Sequence, residues 1–255
     1  MGTGYEVRGT GTGPRTVSVV VPALNEAEGI GAALATVARQ SGPVEAVVVD
    51  GGSTDGTAEA ARTALPGVLV VEAARGRALQ MNAGAARARG DVLLFLHADT
   101  RLPDGALDAV RDALSDPAAV AGCFRTTFGL GRSAGGFGPL GRVFMRLWEA
   151  RLWTRWHRLA FGDRALFVRR EAFEAVGGFP AQPIFEDLDV VRALRRRGRF
   201  VFLDAAVETS ARRFRRGGAL GQQARNLGLW LGWNAGLPPD RLKRFYPDDG
   251  AERGR

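Results

Sequence analysis

Between residues 17 and 100 the chain alternates two patterns: short runs that are apolar throughout, and longer stretches whose apolar residues recur at helical spacing. Residues 17–21, 44–49, 68–71 and 92–96 are of the first kind, rich in valine and leucine, as strands covered on both faces are. Residues 26–39, 57–64 and 77–89 are of the second kind and are predicted helices. Asn25 followed by Glu28 has the spacing of a capping box for the first of them. Strands separated by helices in this way predict parallel βαβ units with right-handed crossovers. The fold class expected is therefore α/β, a Rossmann-like sheet flanked by helices.

The pattern loosens beyond Thr100. Residues 104–114 read as a helix and 118–128 as an extended strand. A Gly-rich stretch, 129–141, leads into an aromatic, basic helical segment over 142–158. A strand is expected at 165–168, a helix starting near Glu186, a strand at 200–203, and apolar and aromatic residues at roughly helical spacing over 218–236. Residues 1–15 read as a disordered leader and 247–255 as a flexible tail. No internal repeat or linker divides what lies between.

Composition changes this picture little. A chain of 255 residues, 45% hydrophobic and 24% charged, is long enough for a substantial core. The net charge of +8 suggests nucleic acid or an anionic membrane. Lys243 is the only lysine, however, and arginine usage beside abundant Ala and Gly reads as coding bias, so no nucleic-acid partner is expected. Cys123 is the only cysteine, which excludes an intrachain disulfide and a Cys-rich metal site and suits a reducing, cytoplasmic setting. No uninterrupted apolar run reaches the roughly 18 residues of a membrane span, so the alternative location is the inner face of a membrane, as a peripheral protein.

Ligands of open α/β sheets bind beyond the carboxyl ends of the strands. The first predicted strand ends in Pro22-Ala23-Leu24-Asn25-Glu26, the second in Asp50-Gly51-Gly52-Ser53-Thr54-Asp55-Gly56, the fourth in His97-Ala98-Asp99. The first turn is not G-x-G-x-x-G, and no Walker-type loop occurs, which disfavours nicotinamide enzymes and P-loop NTPases. Asp50 and Asp55 flank a turn whose glycines let a ligand approach the backbone; equally, Asp55 or Thr54 caps the next helix. Asp99 is placed to hold Mg²⁺ through one carboxylate and substrate phosphates, and His97 would add a nitrogen that favours Mn²⁺. Glu186, Asp187 and Asp189 suit the dipole of a helix first turn or, in one case, a general base. Adjacent helical residues point about 100° apart, so only one of Glu186 and Asp187 should face the reacting atoms. Arg75, Arg77, Arg212 and Arg213 are candidates to neutralise a diphosphate, and Trp148, Trp153 and Trp156 to line an acceptor groove or the core.

Taken in order, these segments resemble family 2 glycosyltransferases of the GT-A fold. Val-Val-Val-Pro-Ala-Leu-Asn-Glu and Val-Asp-Gly-Gly-Ser-Thr-Asp-Gly-Thr match its opening. Gly76-Arg77-Ala78-Leu79-Gln80-Met81-Asn82, Leu96-His97-Ala98-Asp99, Gly162-Asp163, Gly177-Gly178-Phe179, Phe185-Glu186-Asp187 and Ser210-Ala211-Arg212-Arg213-Phe214 are similar to the subgroup called radical-SAM/selenodomain-associated transferases. The resemblance implies one domain over 16–246, with a nucleotide-sugar half at 16–100 and an acceptor half at 101–246. It implies a UDP- or GDP-sugar donor, a divalent metal (Mg²⁺ or Mn²⁺), and a hydroxyl acceptor that includes lipid-linked ones. Pro22, Asn25, Glu26 and Asp50 would hold the nucleotide, with Asp55, Arg77 and Ala98 close by. Asp99 would be the metal ligand, with His97 standing where the usual motif has a first Asp. Asp187 would be the catalytic base, and Gly178, Phe179, Glu186, Arg212 and Arg213 would serve the acceptor or the diphosphate. Arg164 departs from the family pattern, where Gln is expected. A sugar nucleotidyltransferase and a non-catalytic module binding nucleotide, nucleic acid or lipid are the rival readings.

Overall fold

The computed structural model describes residues 15–128, 164–210 and 219–246. The leader before Arg15, the segments expected at 129–141 and 142–158 with their tryptophans, and the tail lie outside the described residues. The strands are β1 (Val17–Ala23), β2 (Val44–Asp50), β3 (Leu69–Glu72), β4 (Val92–Phe95), β5 (Thr100–Arg101), β6 (Ala119–Phe128), β7 (Leu166–Arg169) and β8 (Arg199–Thr209). The helices are α1 (Ala27–Ala38), α2 (Thr57–Ala64), α3 (Arg77–Arg87), α4 (Ala106–Ala113), α5 (Arg170–Ala175), α6 (Glu186–Arg195), α7 (Ala219–Asn234) and α8 (Pro239–Lys243).

The strands form one sheet in the order β3-β2-β1-β4-β7-β6-β8-β5. The first four are parallel, as expected of βαβ units, and β7 joins antiparallel to both β4 and β6. The two halves of the chain thus share one sheet, joined at the β4–β7 pair. Every valine of β1 is buried because both faces are covered. Val19 and Val21 point to a core made with Ile30, Leu34 and Val37 of α1 and Leu107 and Val110 of α4. Val20 points to the other core, with Met81 and Ala85 of α3 and Val190 and Leu194 of α6. Ile30, Leu34 and Val37 recur at the spacing that puts one helical stripe inward.

On its sheet side α3 is unusually close. A Cβ built on Gly84 would stand 2.3 Å from a methyl carbon of Val20 and 2.8 Å from one of Val49, so the helix backbone rests directly on β1 and β2. Cys123 is fully buried in β6, and burial pushes its thiol up to about 11, so it offers no thiolate at neutral pH. Ile184, Leu188, Leu229, Trp233 and Leu242 form a smaller cluster that seats α7 and α8 against α6. Among the described residues no helix is long and apolar enough to cross a membrane.

Several elements differ from expectation. The strand expected at 200–203 runs from Arg199 to Thr209, lengthened by pairing with both β6 and β5. Short elements at Thr100–Arg101, Arg170–Ala175 and Pro239–Lys243 carry too few residues to show a period. The capping box is not formed: Asn25 sits at φ 53, outside helical geometry, and no side chain of the preceding residues caps α1.

Candidate functional site

The carboxyl ends of β1 and β2 are laced together by the loops that follow them. Asp50, 7% exposed at the end of β2, accepts a bond from the Ser53 N–H at 3.0 Å and another from its hydroxyl through the same oxygen, Oδ1. Ser53 Oγ in turn accepts from the Asn25 N–H at 2.9 Å, and Asn25 Oδ1 accepts from the Thr54 N–H at 2.9 Å. The Glu26 N–H donates to Thr57 Oγ1 at 2.9 Å. The cap of α1 comes from far along the chain: the Ala27 N–H donates to Asp55 Oδ2 at 3.0 Å, while Asp55 Oδ1 accepts from Thr57. Both Asp55 oxygens are therefore occupied in tying two helix starts together.

Burial alone would push the Asp55 carboxyl up, but the Thr57 hydroxyl and the backbone N–H groups of Ala27 and Thr57 outweigh it and hold it below its usual range. A carboxyl lowered on folding adds stability that is present above its unfolded value of about 3.9 and is lost as pH falls through the folded value. Asp55→Asn is expected to lower Tm at neutral pH and to make the acid limb of stability less steep. Matching acid limbs in thermal melts of the two proteins would show that Asp55 adds no such stability.

The β4 end continues as a turn in which the Thr100 N–H donates to the His97 carbonyl at 2.9 Å. Ala98 is buried there, and His97 and Asp99 are half-buried. A Cβ on Gly29 would stand 3.4 Å from Glu26 Oε2 and 3.6 Å from the Ala98 carbonyl, so the Glu26 carboxylate lies beside this turn. Pro22 is half-buried in the last stretch of β1, in register with Val49.

Beyond β4 lies a hollow of about 280 Å³, its open mouth included, lined by Arg77, Met81, Phe95, His97, Leu166, Phe179, Glu186 and Asp187. Arg77 and His97 come from the first half of the chain, Phe179, Glu186 and Asp187 from the second. Glu186 is 1% exposed; its Oε1 accepts from Arg77 Nε in an ion pair, and its Oε2 is buried with no hydrogen-bond partner among the described residues. Asp187 is half-buried, and its Oδ1 accepts from the Leu188 N–H at 2.9 Å. Both acids border the hollow, Glu186 buried and Asp187 half-buried. Arg77 commits its Nε to this pair, a role not foreseen for it. Arg212 and Arg213 lie outside the described residues.

Helix α3 sets this geometry through two amides whose roles the sequence reading missed. Gln80, 4% exposed, donates from Nε2 to the carbonyls of Ala23 at 2.7 Å and Val49 at 2.9 Å, closing the ends of β1 and β2. Asn82 donates to the Phe179 carbonyl at 2.8 Å and accepts from the Phe179 N–H at 2.9 Å. That clamp leaves no room at Gly178, where φ is 72 and a Cβ would meet Asn82 Oδ1 at 2.8 Å. Phe179 then stacks edge-on to Phe95 at 4.8 Å and Phe173 at 5.3 Å. The signal available in the sequence was an amide, Gln80, next to Ala78 and Met81 on a core-facing helix.

A divalent metal finds a limited donor set here. Among the described residues no group of three or more His, Cys, Asp or Glu side chains is arranged for a cation. One carboxylate and one imidazole share the 97–99 turn, which fits a Mg²⁺-like ion that draws its remaining ligands from substrate phosphates and water.

The model of glycosyl transferase family 2 matches residues 18–177. A PGL/p-HBAD biosynthesis glycosyltransferase of Mycobacterium bovis is 41% identical over 91 residues, 33% of this chain and 36% of that protein. The chain thus spans about a third of that curated relative. Among solved structures, the mannosyltransferase PcManGT of Pyrobaculum calidifontis, in complex with GDP-Man and Mn²⁺, superposes with a TM-score of 0.58 at 24% identity. It covers 85% of this chain and 65% of its own. Glucosyl-3-phosphoglycerate synthase of Mycobacterium tuberculosis, in complex with Mn²⁺, UDP and glucosyl-3-phosphoglycerate, gives a TM-score of 0.58 at 19% identity, covering 88% and 81%. At these identities the superpositions speak to the fold, which is that of GT-A glycosyltransferases.

Proposed function

The chain belongs to glycosyl transferase family 2, and from that premise we propose that it moves a sugar from a nucleotide diphosphate donor to an acceptor hydroxyl by an inverting, metal-dependent displacement. One observation carries the reading. The hollow beyond β4 gathers Arg77 and His97 from the half expected to bind the nucleotide and Phe179, Glu186 and Asp187 from the half expected to bind the acceptor.

In this reading the nucleotide lies over the laced loops. Asp50 spends only Oδ1 on Ser53, which suits its other oxygen to a ribose or base donor, and Pro22, Asn25, Glu26 and Ala98 shape the floor. Asp99, with His97 beside it, is the metal ligand. A divalent cation bound there with the donor supplies charge neutralisation at the leaving diphosphate. Asp187 takes the proton of the acceptor hydroxyl as that oxygen bonds to the anomeric carbon. The bond from that carbon to the diphosphate breaks on the opposite side, its electron pair leaving with the phosphate oxygen. Gly178 and Phe179 border the acceptor side, where Arg212 and Arg213 would also act. Residues 16–100 and 101–246 are in this view two halves of one domain. A lipid-linked acceptor, and with it a place on the inner face of a membrane, is compatible with the reading.

The test is a thermal-shift panel of UDP, GDP and their sugar conjugates, with and without Mg²⁺ or Mn²⁺. A ligand that binds only the native state raises Tm by mass action. A shift that requires both nucleotide and metal is expected. A folded sample that responds to no nucleotide would favour a non-catalytic module instead.

A further inference from the structure

Phe185 stands in a conformation that its side chain disfavours. Three non-glycine residues among those described have positive φ: Asn25 at 53, Ala165 at 46 and Phe185 at 64. Asparagine visits this left-handed region readily, whereas for a bulky residue it is a strained outlier. Phe185 is also the N-cap of α6, where Ser, Thr, Asn or Asp is usual and the backbone is normally extended. Among the described residues no side chain caps the helix there. Glu186 and Asp187 come next, so the φ of Phe185 sets the direction in which both acids leave the loop. Strain of this kind persists only where the surroundings over-determine it, and it gathers at functional sites.

The surroundings here come from α7 and α8. The Phe185 ring lies 5.4 Å from the Trp233 ring, tilted at 38°. Trp233 is buried, and the guanidinium of Arg192, in the second turn of α6, sits 3.5 Å from the centre of its ring. Arg192 Nη2 also donates to Asn234 Oδ1 at 3.1 Å. Trp233 thus meets α6 at two places, just ahead of its first turn and in its second. Ile184 and Leu188, on either side of the acids, are buried in the same cluster with Leu229 and Leu242. The acid pair is bracketed by residues whose packing partners belong to the C-terminal helices.

We propose that Trp233 is a positioning residue for Asp187: its ring holds Phe185 in the left-handed conformation that presents the start of α6 to the hollow. The proposal rests on the transferase reading above. It gives α7 a part in the reaction although, in that reading, α7 touches neither donor nor metal. The aromatic face is the operative feature, since it meets both a ring and a guanidinium.

The experiment compares Trp233→Leu, Trp233→Phe and Phe185→Gly with wild type in the full chain, well below the lowest Tm. Donor Kd is measured by calorimetry with divalent metal present. Turnover is the release of UDP or GDP from their glucose, N-acetylglucosamine and mannose conjugates, with water as acceptor. Trp233→Leu keeps apolar bulk without a ring, and kcat should fall at least about tenfold, as a misplacement of about 1 Å can cost about 10²-fold. Donor Kd should stay near that of wild type, because the loops that follow β1 and β2 take no part in this cluster. Trp233→Phe should recover most of the rate. Glycine takes positive φ without strain but has no ring to be held, so Phe185→Gly should lose a similar factor. Combining Phe185→Gly with Trp233→Leu should cost no more than the larger single loss, since both remove one contact. Deuterium exchange over residues 184–190 should rise in Trp233→Leu and Phe185→Gly and fall back in Trp233→Phe; where water is not an acceptor, this arm alone decides. Unchanged kcat, unchanged exchange, additive losses, or a rate in Trp233→Phe no better than in Trp233→Leu overturns the proposal. So does a kcat that falls together with donor affinity. Wild-type protein that binds no nucleotide at all overturns the transferase reading, and the proposal with it.

Discussion

Asparagine in place of Asp187 is expected to slow sugar transfer by about 10²–10⁴-fold, the usual contribution of a positioned general base. The substitution is close to isosteric, and an amide oxygen can still accept from the Leu188 N–H as Asp187 Oδ1 does. The start of α6 should therefore persist and thermal stability change little. What is lost is a group able to take a proton from the attacking hydroxyl. Donor affinity should stay near that of wild type, so that kcat falls while the donor Kd does not, the pattern of an interaction made only in the transition state. Transfer at undiminished rate, with donor bound, would remove Asp187 from the role of base.

Asp99→Ala should abolish the metal-dependent part of donor binding and reduce transfer by at least about 10²-fold, because several kcal/mol of charge stabilisation at the leaving group go with the cation. The turn at 97–99 contributes one carboxylate, and the described residues contain no larger cluster that would take over. Metal alone should produce little shift in wild type, since phosphates of the donor must complete the coordination. His97→Ala separates the two candidate ligands: a smaller loss than at Asp99 is expected. Thermal shifts with nucleotide and metal varied independently, alongside initial rates, check each arm. A metal-dependent shift that survives in Asp99→Ala would place the cation elsewhere.

The parallel half of the sheet was legible because its strands are buried on both faces. A run such as Val17–Val21 leaves few alternatives, and the interleaved helices dictate the crossovers. The insertion of antiparallel β7 between β4 and β6 was not legible, since nothing local in Leu-Phe-Val-Arg encodes its partners. The start of α1 misled for a related reason: Asn25 and Glu28 have the right spacing, but Asn25 Oδ1 serves Thr54 and the cap arrives from Asp55 on the neighbouring loop. At the site, the acids and the His97 turn were visible as polar residues at strand and helix ends. The pairing of Arg77 with Glu186 and the two-bond clamp of Asn82 on Phe179 were not, because each joins residues about a hundred positions apart.

The seat of α3 at Gly84 gives one more consequence. Arg77, Gln80 and Asn82 hang from the same helix, which is registered on the sheet by the absence of a single side chain. Seven residues of helix, about 10 Å, separate Gly84 from Arg77. A methyl group there would lift the jig that sets three tolerances together: the Glu186 anchor, the ends of β1 and β2 and the Phe179 loop. Drift at that position would show itself first as lost catalytic precision, in a protein that still folds.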